Sequence, residues 1–237
     1  MYESMKISFK EAGFTDQELE FLFIDNTKQN HHDAFNGLNR LADRATGTYL
    51  IFCHQDIELL KDSKDSLMQK LTKMNETSPK WAVLSNCGAS TLLNYALCVL
   101  EGDGKDRNTD NFPMEVYSVD EHFFIVKNGL GLRFSEEEFN GFHLYGTDIC
   151  LQSILNGFKN YAIEFKVKHY GSGNLNTEFY VTKNKLIKSY EGKINLGWIQ
   201  TTCTRVFISS NRFLNRLMNM SQVSYLAKKY YQLFPSK

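Results

Sequence analysis

Between residues 19 and 85 the chain alternates between two hydrophobic patterns, and that alternation constrains its fold more than any other feature. "LEFLFIDN" (19 to 26) is a short apolar run of strand type that ends on Asp25 and Asn26. Ala34, Leu38, Leu41, Ala42 and Ala45 then recur at helical spacing, and Gly47 stands where a left-handed cap would end that helix. "TYLIFC" follows as a strand, Leu67, Leu71 and Met74 mark another helix, and "WAVLS" another strand. Met1, Met5 and Ala12 lie on one side of an opening helix. Helices alternating with apolar strands predict an α/β fold with an at least partly parallel sheet. In such sheets ligands bind beyond the carboxyl ends of the strands. Those ends carry Asp25 and Asn26, then His54 and Asp56.

The rest of the chain extends the pattern. Residues 101 to 113 are polar and glycine-bearing and read as a surface loop. "VYSVDEHFFIVKN" resumes as strands, with Asp120 and Glu121 between them. A helix is expected from about Thr147, with Thr147 capping, Asp148 in the first turn, and Leu151, Ile154 and Leu155 facing inward. "YAIEFKVKHYGSGN" reads as a strand leading to His169 and a glycine-serine loop, and Phe213, Leu217 and Met220 suggest a terminal amphipathic helix. The expected organisation is a domain over 1–176 with a C-terminal extension, 177–237, packed on it.

Composition narrows the class. Lys+Arg and Asp+Glu are both 27, so bulk charge gives no support for nucleic-acid binding. Five cysteines, an odd number without CxxC spacing, read as buried reduced thiols and hence an intracellular protein. No apolar run approaches the ~20 residues needed to span a bilayer, and the N-terminus lacks a signal-peptide apolar region. The expected location is cytoplasmic, with peripheral contact at the inner face of the membrane left open.

Chemistry concentrates in a few places. His54 and Asp56, at i and i+2 on an extended segment, would point the same way and could reach one ion. An imidazole plus a carboxylate suits Mn2+ or a similar divalent ion, with a diphosphate oxygen completing the shell. The same residues also fit a solvated strand end. His169 is a candidate third ligand or a surface histidine. Asp148 could act as a general base or simply complement the helix dipole. Asp120 and Glu121 could grip a sugar hydroxyl or solvate their turn.

"FIDNTKQNHHDAFNGLNRLADRATGTYLIFCHQDIELL", with "VDEHFFIVKN" and "FNGFHLYGTDICLQSILNGFKNYAIEFKVKHYGSG", resembles the inverting family 2 glycosyltransferases of GT-A fold, over about residues 2 to 175. Asn39 stands eight residues before Gly47, and the family's DxD position reads His54-Gln55-Asp56, as in a bacterial subgroup with HQD. The resemblance implies a GT-A-like mixed sheet flanked by helices. It implies transfer of a hexose from a UDP- or GDP-sugar, with inversion, to a glycan or lipid-linked acceptor. Asp25, Asn26, Asn39 and Gln55 would contact the donor nucleotide, and Asp120, Glu121 and His143 the sugar and acceptor. Asp56, His54 and His169 would hold Mn2+ or Mg2+. Three departures stand out: His54 replaces an Asp, the acidic pair of the acceptor helix aligns with Tyr145 and Gly146, and the family's first strand has no counterpart before the opening helix. Asp148 is the nearest remaining carboxylate and is nominated as the base. The departures also motivate two alternatives: a glycosyltransferase-like binding protein without turnover, and a different α/β enzyme such as a metal-assisted hydrolase or nucleotidyltransferase.

Overall fold

The structure is a computed structural model and describes residues 1–15, 17–171, 173 and 175–234. In chain order its elements are α1 (Tyr2–Glu11), α2 (Ala34–Arg44), β1 (Tyr49–Cys53), β2 (Ile57–Leu59), α3 (Lys64–Thr77), β3 (Trp81–Ser85), β4 (Cys87–Ala89), β5 (Tyr95–Glu101), β6 (Asp106–Asn108) and β7 (Met114–Glu115). They continue with β8 (Ser118–Val119), β9 (Phe123–Lys127), α4 (Tyr145–Leu155), β10 (Lys159–Ala162), β11 (Val167–His169), α5 (Thr177–Tyr190), β12 (Gly197–Gln200), β13 (Arg205–Ile208), α6 (Arg212–Met218) and α7 (Ser221–Leu233).

Short polar side chains start several helices by satisfying a backbone N–H that has no intrahelical acceptor. Asp33 accepts from Asn36 N at the head of α2, and Asn176 from Phe179 N at the head of α5. Ser63 and Ser66 form a reciprocal capping box at α3.

The main sheet runs β1-β9-β3-β10-β7, mixed in direction, with β3 and β10 parallel and the other neighbours antiparallel. Its centre is buried on both faces, which explains the uninterrupted apolar runs of β3 and β9. Alternate residues divide between two cores: Phe124 and Val126 join α4 on one face, while Phe123 and Ile125 join α1 and α3 on the other. A second sheet, β2-β11-β5-β4-β8 with β6 on β5, takes over where β1 ends, and the β12–β13 hairpin stands apart. Residues after 176 share the main core, since Phe179, Leu186 and Tyr190 of α5 are buried in it.

Several local expectations change. Residues 19 to 26 belong to no strand. Among the described residues nothing pairs with the outer edge of β1, so that segment has no ladder to join. A cavity of about 340 Å³, walled by Phe21, Leu38, Leu41, Leu50 and Phe52 among others, lies between it and β1. Gly47 does not cap α2: the chain turns extended at Ala45, and Gly47 is not in the left-handed region. Residues 101 to 113 are not all loop, because β6 pairs with β5. Thr147 does not cap α4; left-handed Leu144 precedes the helix, and the Thr147 hydroxyl bonds Ser118 Oγ at 2.8 Å. The terminal helix is two helices, α6 and α7. Cys203 is exposed rather than buried, and all five cysteines are free. Among the described residues no helix is long and apolar enough to cross a membrane.

Candidate active site

β1 belongs to one sheet and β2 to the other, so the chain must turn between them. His54, Gln55 and Asp56 make that turn, rather than the straight strand end expected from the sequence. Two backbone bonds fix it: His54 N–H donates to His122 O (3.0 Å), and Tyr170 N–H to Asp56 O (3.0 Å). The second bond brings the end of β11 alongside. His169 therefore meets His54 and Asp56 across more than a hundred residues of sequence.

One ligand atom from each of His54, Asp56 and His169 lies within 4.8 Å of the others. His54 Nδ1 is 3.4 Å from His169 Nε2 and 3.9 Å from Asp56 Oδ1, and His169 Nε2 is 3.6 Å from the same oxygen. The other nitrogen of His54 bonds the Tyr145 hydroxyl at 2.9 Å, leaving Nδ1 for the cluster. His169 is stacked on His122, with ring centroids 4.9 Å apart and planes at 15°. His122 is held in turn by Asp120 Oδ1 at 2.6 Å from its Nδ1. A side chain at Gly171 would collide with Asp56 Oδ2 and His169 Nε2, so the closeness of the cluster requires a residue without Cβ.

The electrostatics suit a cation. Burial, then the neighbouring His169 and His122, push the His54 imidazole down to about 4, so at neutral pH it carries a lone pair and no charge. His169 beside Asp56 outweighs burial and lowers that carboxyl. Two imidazole nitrogens and one carboxylate within this reach of one another fit a divalent ion of the Mn2+ type.

This cluster borders a cavity of about 790 Å³ whose wall includes His54, His122, His143, His169, Asp120 and Glu121. Four carboxylates line the cavity: Glu101, Asp103, Asp120 and Glu121. Glu101 pairs with Arg107 at 2.6 Å, Asp103 with Lys105, and Asp120 with His122. Burial works against the Asp120 charge, but His122 overrides it and holds that carboxyl well below the usual range. Glu121 is different. Among the described residues it has no cationic partner; its Oε1 accepts from Gly146 N–H at 3.3 Å, and the neighbouring N–H groups of Leu144 and Tyr145 also favour its charge. Burial and then the Asp120 charge raise it to about 8. A Cβ at Gly146 would lie 3.1 Å from Glu121 Cγ and 2.8 Å from Val119 O, so the bare backbone there makes room for this carboxylate.

The remaining expected site residues divide. His143 lines the cavity, against Phe179. Asp25, Asn26, Asn39 and Gln55 do not line it. Asp25 is exposed and accepts from Thr27 N–H and Oγ–H (2.9 and 2.6 Å). Asn26 closes its own loop onto His31 and His32, and Gln55 is exposed at the turn. Asn39 is 5% exposed and bonds both backbone groups of Phe134, a structural clamp.

Asp148, expected as the base, does not line the cavity. It is fully buried, and its oxygens accept from Ser135 N–H (2.8 Å), Ser135 Oγ–H (2.8 Å) and the Tyr190 hydroxyl (2.5 Å). Its lone pairs are engaged by the protein's own donors. Burial still raises it to about 6 against those bonds. Sequence reasoning missed His122, Tyr145, Gly171, Glu101 and Arg107. Only the Asp120-x-His122 spacing could have flagged one of them. Ser172 and Asn174 of the glycine-serine loop lie outside the described residues.

No family model matches the chain. Among solved structures, residues 1–349 of S. aureus TarS, crystallised in complex with UDP, superpose with a TM-score of 0.51 at 13% identity, covering 96% of this chain and 71% of that one. A longer TarS chain gives a TM-score of 0.46 at 13% identity, and this chain spans only 34% of it. At such identity the likeness shows shared architecture, the GT-A-like mixed α/β fold expected from the sequence. Among curated proteins, "ATP synthase subunits region ORF 6" of Fuscovulum blasticum is 32% identical over 195 residues, which are 80% of this chain and 78% of the relative. The chain belongs to the family of that Fuscovulum blasticum protein, whose name states no activity.

Proposed function

We propose that the protein transfers a sugar from a nucleotide-diphosphate sugar, a UDP- or GDP-sugar, to a hydroxyl of a glycan or lipid-linked acceptor, with inversion. The observation that carries this reading is the His54–Asp56–His169 cluster bordering a cavity of about 790 Å³ that also presents one unneutralised carboxylate, Glu121. The GT-A-like fold, shared with a protein crystallised with UDP, supports it.

His54, Asp56 and His169 would hold Mn2+ or Mg2+, which when bound supplies Lewis-acid stabilisation of the departing nucleoside diphosphate. The Tyr145 hydroxyl orients His54, and the Asp120–His122 pair holds the face of His169, so neither ring has to be ordered when ligand arrives. Glu121 accepts the proton of the acceptor hydroxyl as its oxygen attacks the anomeric carbon. The bond to the diphosphate breaks, and the leaving group takes the electron pair. A carboxyl raised to about 8 is basic enough for that task, and Gly146 N–H keeps one of its oxygens in place. His143 and the Glu101–Arg107 pair shape the remaining wall.

The test is a thermal-shift and calorimetric titration with UDP, GDP and a panel of their sugars, with and without Mn2+. A metal-dependent rise in Tm that Asp56→Ala abolishes is expected. No shift with any nucleotide would overturn the reading. Glu121 has its own test. In Glu121→Ala, azide, a nucleophile with no proton to remove, should accept the sugar and give a glycosyl azide while transfer to hydroxyl acceptors is lost. Unchanged hydroxyl transfer in that variant would remove Glu121 from the role and leave the rest standing.

A further inference from the structure

We propose that α6 and α7 form a docking surface for an anionic lipid bilayer. Beyond the side chains that pack on the β12–β13 hairpin, these helices bury single polar residues and leave large apolar ones exposed. Inside, Asn215 is 2% and Ser224 9% exposed. Asn215 bonds Ser209, Asn219 bonds both backbone groups of Phe207, and Ser224 accepts from Arg205 Nε, tying both helices to β13. Outside, Phe213 is 75%, Leu226 64%, Tyr230 60%, Leu233 74% and Phe234 63% exposed. On α7, residues 226, 230 and 233 follow one another at helical spacing and form a single outward stripe. Isolated exposed apolar residues are ordinary, but a stripe of this kind marks a surface that is covered in use.

Charge selects the cover. From residue 211 to 237 the sequence contains no Asp or Glu, while Arg212, Arg216, Lys228 and Lys229 are all in this stretch. The whole chain has zero net charge, so this is a local concentration of cations beside aromatic and aliphatic side chains. That composition fits anionic headgroups over acyl chains. Neither helix can cross a bilayer: α7 has 13 residues and α6 has 7. The pair therefore lies in the interface.

The surface is coupled to the cavity. The β12–β13 turn carries Thr202 and Cys203, which line the cavity, while the same hairpin packs Trp198 and Phe207 against Met218, Ala227 and Tyr231 of the helices. A protein seated through α6 and α7 would thus have its cavity one short hairpin from the headgroups, placed for a lipid-borne acceptor hydroxyl. That last inference rests on the glycosyl-transfer reading; the membrane binding does not.

The test is co-sedimentation of the full chain with phosphatidylcholine vesicles, with and without phosphatidylglycerol. Binding is expected to require the anionic lipid and to weaken with salt. Each cation removed should lower the partition coefficient roughly fivefold. Charge reversal of the exposed cations in Arg216→Glu with Lys229→Glu should therefore remove most binding. Phe213→Ser with Leu226→Ser should also release the protein, without lowering Tm or nucleotide binding, since both side chains face outward. No pelleting, or equal pelleting on both vesicle types, would overturn the proposal. So would a vesicle-free dimer, seen by light scattering, that the serine variant converts to monomer, because the occupant would then be a second copy.

Discussion

Replacing Glu121 by Gln should make the protein more stable and less active at once. The folded carboxyl sits at about 8 against 4.5 for a free glutamate, so between those values the folded state binds more protons than the unfolded one. Stability from this group is therefore greatest at low pH and falls as pH rises toward 8. At about pH 7 the accumulated cost is about 2.5 pH units at 1.36 kcal/mol each, about 3 kcal/mol as an upper bound. Glu121 lines an open cavity and is only partly enclosed, so water screens some of this, and about 1–3 kcal/mol is expected. Glutamine keeps the shape and the acceptor for Gly146 N–H but has no charge to bury. For a chain of this size the gain corresponds to roughly 3–9 °C in Tm. Scanning calorimetry of both proteins at about pH 5, 7 and 8.5 should show a gain near zero at the acid end that grows with pH. At the same time transfer should fall by about 10²–10⁴-fold, the usual worth of a positioned base. A Gln variant with equal or lower Tm at about pH 7, or a gain that does not change with pH, would refute the assignment of a buried, unneutralised carboxylate.

Other expectations follow from the same contacts. Transfer by the native protein should rise with pH as Glu121 ionises through about 8, measured as nucleoside diphosphate release across that range. Asp148→Ala leaves the Ser135 N–H and hydroxyl without their acceptor and removes the shorter bond of the Tyr190 hydroxyl, which keeps Asp148 O at 3.2 Å, and about 2–4 kcal/mol should be lost in urea unfolding, while calorimetric UDP affinity changes little. Asn39→Ala removes both bonds to the Phe134 backbone and should cost a similar amount by the same measurement. Gly171→Ala should weaken Mn2+ binding by about tenfold or more in a direct titration, because the added Cβ pushes Asp56 and His169 apart.

Much of the site was legible where the chemistry is local. His54 and Asp56 lie two residues apart, so almost any turn brings them near each other, and their pairing could be read without knowing the sheets. His169 could be named as a candidate because a strand leads straight to it, but its arrival beside Asp56 depends on the backbone bond from Tyr170. Asp148 and Glu121 show the opposite case. Both are acidic residues beside turns, and nothing local distinguishes them. Ser135 and Tyr190 lie 13 and 42 residues from Asp148, and they consume it. Among the described residues Glu121 has no cationic partner, while Arg107, Lys105 and His122 each pair with another carboxylate of the cavity wall. Residues 19 to 26 fail as a strand for a similar reason: strand propensity needs a neighbour to pair with.

The sequence by itself determined the apolar periods of 2 and 3.6, and with them the α/β layers and the buried central strands. Those depend on neighbours along the chain. The tertiary structure alone decided which carboxylates are paired, which histidines converge and which helix faces are left uncovered. Those properties depend on distances between residues far apart in sequence, and a charge buried in a cavity takes its chemistry from whatever the fold has placed within a few ångströms of it.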